Sequence, residues 1–97
     1  MTAHLDQRGL TVARVGATVR VSYPFDLDER SREWFRHVLF DLIDGQGNLS
    51  LDVRLPAVTR VDLPLLDVLI AAEERQAARG GSMCVTTKTG RWPETHP

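Results

Sequence analysis

Two stretches of this chain carry residue types and spacings that could do chemistry. In Val58-Thr59-Arg60-Val61-Asp62, followed by Leu63-Pro64-Leu65, a strand end turns into a helix. The start of a helix concentrates unpaired backbone N–H groups and partial positive charge, so such turns usually carry small polar groups. Here an aspartate is followed by three apolar residues, which offer no nucleophile. Tyr23-Pro24-Phe25-Asp26 makes a second strand-to-helix passage of similar character.

The remaining reactive side chains lack partners at useful spacing. His4, His37 and His96 are scattered over the start, a helix and the end of the chain, which is not the spacing of a metal site. Cys84 is the single cysteine, so no internal disulfide or cysteine cluster can form. Ser31 and Ser82 have no His and Asp arrangement that would make a hydrolytic triad. Gly45-Gln46-Gly47 follows a helix and precedes a strand, the reverse of the order a phosphate loop needs. The expectation is a protein without catalytic, metal or cofactor residues, acting through its surface.

Composition narrows the kind of surface. Ninety-seven residues, 42% hydrophobic and 26% charged, suit one domain over 1–97, with a core in 10–86 and a polar tail over 87–97. Net charge is −1 and the pI near 6.3, and the twelve basic residues form no stripe that could follow a phosphate backbone. Nucleic acid is therefore not expected as a partner. Neither a membrane-spanning run nor a signal pattern is present, which suggests a cytoplasmic protein.

Stepping along the chain gives the elements that position the two stretches. Leu10, Val12 and Val15 suggest a strand; Gly16-Ala17 turns it; and Val19, Val21, Tyr23 and Phe25 alternate with polar residues in a second strand, making a hairpin. Asp26 with Glu29 three residues on reads as a capping box opening a helix. Trp34, Phe35, Val38, Leu39, Leu42 and Ile43 form its apolar stripe. A third strand spans Leu49 to Leu55. The next helix has Leu66, Leu69, Ile70, Ala72 and Ala77 available for burial and Gly80 as its stop. Ser82 to Thr86 is a last short strand. Each strand alternates apolar and polar residues, which places the helices on one face of the sheet only. The fold class is thus α/β: an open mixed sheet of about four strands, a hairpin plus parallel strands, with helices on one face.

Asn48 to Val85 resembles the central part of the STAS domain, the module shared by sulfate transporters and anti-sigma factor antagonists. The likeness rests on a strand, the approach Val58-Thr59-Arg60-Val61-Asp62, a tight turn, a helix ending Ala78-Arg79-Gly80-Gly81, and the short strand at Met83 to Val85. Tyr23-Pro24-Phe25-Asp26 falls where the family often has Gly-Glu-Leu-Asp. The resemblance implies a non-enzymatic binding module. In partner switching, such an antagonist binds an anti-sigma factor of the histidine-kinase-like ATPase type, and phosphorylation of an Asp-Ser-Ser-Gly turn releases it. Carried over by position, Asp62 matches the aspartate, Leu63 and Pro64 take the two hydroxyl positions, and Leu65 takes the glycine. The family's aspartate at the end of the preceding strand falls at Arg54. Leu63 and Pro64 are therefore degenerate phosphosite positions, and partner binding without phosphate control is expected.

The candidate partner surface comprises Tyr23, Phe25, Asp26, Arg60, Asp62, Leu63, Pro64, Leu65 and Asp67. The resemblance also leaves open an accessory subunit of a lipid-transport ATPase, or a scaffold assembling with other STAS proteins. The family usually continues into a further helix after this last strand, and here that helix is missing. Either Trp92 folds back over the apolar face so exposed or a second subunit covers it, and a homodimer is expected.

Overall fold

The computed structural model describes residues 3–5 and 9–92. Its elements are β1 (Ala3–Leu5), β2 (Thr11–Val15), β3 (Thr18–Ser22), α1 (Glu29–Phe40), a π-helical turn over Asp41–Gly45, β4 (Ser50–Leu55), α2 (Leu63–Ala78), β5 (Ser82–Thr87) and β6 (Gly90–Trp92). All six strands join one sheet in sequence order. Strands β3, β4 and β5 run parallel, while β1, β2 and β6 add antiparallel edges. The open mixed α/β sheet is as expected, but it has six strands where about four were expected.

The hairpin turns on Gly16, whose φ of 63° lies in the region glycine enters without steric cost. From β3 onward each connection to the next parallel strand is a helix. Two such crossovers of one hand, advancing in one direction along the sheet, put both helices on the same side. The alternating rows agree: Val19, Val21, Leu51, Val53, Leu55 and Val85 are buried beneath the helices. Phe35, Leu39 and Ile43 come down from the first helical segment, and Leu65, Leu69 and Ala72 from α2. A fully buried leucine or phenylalanine contributes about 1.5–3 kcal/mol, so this one layer carries most of the stabilisation.

The far end of the sheet from the candidate surface is closed by polar side chains. The buried Gln76 amide donates to the Asn48 and Ser82 carbonyls at 2.8 and 3.2 Å. Asn48 in turn donates to the Leu42 carbonyl at 3.0 Å and accepts from Arg14 at 2.9 Å. These bonds tie α2, β5, the π turn and β2 together where backbone groups would otherwise be buried unpaired.

Several sequence expectations are corrected. The first helix is capped by Asp28, not Asp26: the Asp28 carboxylate accepts from the Ser31 backbone N–H at 2.8 Å, and Ser31 Oγ accepts from the Asp28 backbone N–H at 2.9 Å. Leu27 packs against the core, and that fixes the next residue as the cap. The same helix widens into a π turn at Asp41, yet Leu42 and Ile43 stay buried. In α2, Ile70 and Ala77 are exposed and Leu66 is only half-buried, because Leu65, Val68, Leu69 and Ala72 take the inner face. The expected polar tail includes β6, where Trp92 pairs with Val85 and packs on the core. Trp92 thus covers part of the sheet beside the buried Val85, as one of the two expected covers would. The rest of the tail, with His96, lies outside the described residues, as does the side chain of His4.

Candidate functional site

The parallel strands β3 and β4 end side by side, with the Tyr23 N–H donating to the Arg54 carbonyl at 3.0 Å. Both chains then leave the sheet at this end and enter a helix through an aspartate cap. At α2 the cap is Asp62, whose backbone is extended (φ −79°, ψ 173°) and whose Oδ1 accepts from the Leu65 N–H at 3.0 Å. Leu63 is the first helical residue and Pro64 the second, where a missing N–H breaks no intrahelical bond. The carboxylate occupies the third N–H of the turn. The start of α2 therefore already holds a negative charge against its partial positive end.

The tip this cap fixes is apolar and outward. Leu63 is 75% exposed and Pro64 is exposed beside it, whereas Leu65 is only 3% exposed and belongs to the core. Leu65 therefore leaves the candidate surface: the N-cap bond turns position 65 inward, and its side chain joins the core cluster. Asp67, one turn beyond Leu63, is exposed, as is Arg60 on the approach to the cap.

The neighbouring passage divides in the same way. Tyr23 is buried, with its ring 5.7 Å from that of Phe25, 5.7 Å from Trp34 and 6.4 Å from Phe35. It too is core and not surface. Phe25 is 56% exposed and stands on Gly9, where a Cβ would come within 2.7 Å of Phe25 Cε2. Gly9 has a φ of 88°, a backbone conformation that favours glycine, and a Cβ there would push the exposed Phe25 ring aside. Asp26 is exposed, its Oδ1 accepting from the Leu27 N–H at 3.0 Å.

Of the expected surface, Phe25, Asp26, Arg60, Asp62, Leu63, Pro64 and Asp67 remain exposed at one end of the sheet. Two apolar projections, Phe25 and Leu63, sit among acidic groups that also include Asp28 and Glu29. The Asp28 carboxyl is held below its ordinary range, first by the Ser31 backbone N–H and then by the Ser31 hydroxyl. One surface residue was missed. Ile70 lies seven residues beyond Leu63, hence on the same side of α2, and is 41% exposed. With Asp67 and Glu74 it continues the tip as a ridge down the helix. The run Leu63 to Ala72 is apolar almost throughout, so no stripe could be phased from sequence; the exposed hydrophobe was findable only from packing.

Chemically the surface offers shape, apolar contact and negative charge. Positions 63 and 64 hold no hydroxyl, and among the described residues no group of three or more His, Cys, Asp or Glu could hold a metal ion. His37 is exposed and its Nε2 is 3.4 Å from Glu33. A groove of about 420 Å³ between β2 and α1, lined by Leu10, Val12, Trp34, Val38 and Leu42 with polar residues at its rim, holds none of the expected site residues. No helix among the described residues is long and apolar enough to cross a membrane.

No family model matches the chain, and no curated protein matches it. Among solved structures it is similar to the NMR structure of the protein TM1081, with a TM-score of 0.65 at 19% sequence identity, over 77% of this chain. The match spans about 60% of that protein's length. At this identity the likeness establishes the open α/β fold.

Proposed function

We propose that this protein is a non-enzymatic regulatory binding module of the anti-sigma factor antagonist kind, acting in the cytoplasm without phosphate control. The partner is a protein, an anti-sigma factor of the kinase-like ATPase type or a related regulator. The observation that carries this reading is the 75% exposure of Leu63 on a helix start whose cap is already occupied by Asp62. Solvated leucine at a rigid position gains from burial against an apolar pocket, and a proline beside it lowers the entropy lost on docking. Phe25 and Ile70 extend the contact to either side, and the surrounding carboxylates favour a partner with a basic rim.

The test is direct titration against purified anti-sigma ATPases with and without ATP, repeated with Leu63→Asp. The expected result is binding that ATP leaves unchanged, no phosphate incorporated at the turn, and about a tenfold or larger loss for Leu63→Asp, since an unpaired carboxylate must then be desolvated. Stoichiometric phosphorylation of any turn residue refutes the absence of control. Selective co-purification with a lipid-transport ATPase, or with other STAS-like chains, would assign the module to that partner instead.

A further inference from the structure

The sheet has a second face that none of the described elements covers. Register sets Arg20 beside Asp52, and Arg54 beside Thr86 with Arg91 next to it. Asp52 Oδ2 accepts from Arg20 Nε and from Arg54 Nε, each at 3.2 Å, so one carboxylate answers two guanidinium groups. Arg91 is exposed and enters no ion pair among the described residues. Three arginines against one carboxylate leave this face about two charges positive.

The opposite layer has the reverse character. Arg36 and Arg75 fold back over the Phe40 ring, 4.8 and 4.7 Å from its centroid, and pair with Glu33 and Asp44. Asp67, Glu73 and Glu74 of α2 are exposed, in no ion pair among the described residues, and flank the exposed Ile70. The α2 ridge therefore turns its carboxylates outward, while Arg36 and Arg75 beside it are occupied.

From this we infer that copies of the chain stack head to tail, the arginine-bearing sheet face of one copy seated on the α2 ridge of the next. Both complementary surfaces are present in one molecule and point in opposite directions. Two sheet faces back to back would set like charges against each other, which disfavours a symmetric pair. Ile70 would rest on the aliphatic stems of Arg20 and Arg54 while the carboxylates meet the guanidinium heads. The molecule measures 35 × 29 × 21 Å, and its broad face accommodates the roughly 800 Å² per partner of a specific interface. A heterologous contact of this kind does not close on itself, so the stacks grow with concentration.

The experiment is sedimentation velocity of the full chain over a range of concentrations at about 20 mM and about 500 mM salt, since screening acts on an exposed charged interface. The wild type is expected to form concentration-dependent stacks at low salt and a single small species at high salt. Arg54→Glu with Arg91→Glu, and separately Glu73→Lys with Glu74→Lys, each weaken association by roughly tenfold or more. An equimolar mixture of the two doubly substituted proteins restores it, because each then offers the charge the other lacks. Arg91→Gln, at an exposed position outside any ion pair, weakens association several-fold and serves where a double swap fails to fold. A wild type that stays monomeric at low salt, a closed dimer, or association indifferent to both swaps overturns the inference. Arg91→Gln, on the sheet face away from α2, leaves capture of the anti-sigma ATPase unchanged, so failure here is distinct from failure of partner binding.

Discussion

The two helices of this protein begin in nearly the same way and present opposite surfaces. At α1, Asp28 and Ser31 satisfy each other's backbone N–H groups, so the first turn is closed on itself and polar. At α2, Asp62 makes one cap bond to Leu65, and the two residues between cap and bond are a leucine and a proline that face solvent. Capping thus sets where each helix starts, but the residues at the first and second helical positions decide what a partner meets. A polar turn hydrogen-bonded within itself gains little from being covered, whereas an exposed Leu63 gains from it.

Five substitutions and one titration break or sharpen that contrast. The largest effect is expected at Leu65, which shares the turn with Leu63 but is buried: Leu65→Ala costs about 2–5 kcal/mol in denaturant unfolding, while Leu63→Ala stays within about 0.5 kcal/mol. Equal losses at the two positions would erase the division between tip and core. Next is Gly9→Ala, expected to cost about 1–3 kcal/mol because a Cβ there both meets Phe25 and strains a backbone at φ 88°. The chemical shifts of Phe25 should move with it, reporting displacement of the second apolar projection.

Removing either cap is milder. Asp28→Ala and Asp62→Ala each cost about 1 kcal/mol, measured by thermal unfolding, with the loss confined to the helix concerned in amide exchange. The smallest effect is on acidification. The Asp28 carboxyl is depressed in the folded protein relative to an ordinary value of about 3.9, so its contribution is complete above that value. It is lost as pH falls through the depressed folded value. The Ser31 amide resonance should shift there, before the core of the molecule unfolds.

The alternation of Val19, Val21, Leu51, Val53 and Val85 with polar residues made β3, β4, β5 and the one-sided helix layer legible in the sequence. The Asp62 cap with Pro64 behind it was legible too, since cap chemistry is local. What escaped was decided by distant contacts. Gly90-Arg91-Trp92 has no pattern of its own and becomes a strand because β5 offers it an unpaired edge. Ala3-His4-Leu5 joins β2 on the same terms. Asp26 and Asp28 are equally good caps by type, and the choice falls to the core contact of Leu27. At the candidate site, the resemblance set Tyr23 and Leu65 on the surface, although Tyr23 continues the apolar row of Val19 and Val21; one is wedged among Phe25, Trp34 and Phe35 and the other joins the core cluster.

The most direct measurement is the binding affinity of Leu63→Asp for the anti-sigma ATPase that the wild type captures, taken alongside its unfolding midpoint. The expected result is an affinity lower by tenfold or more, with stability shifted by no more than about 0.5 kcal/mol. A variant that binds as tightly as the wild type while remaining folded would contradict an apolar tip as the contact.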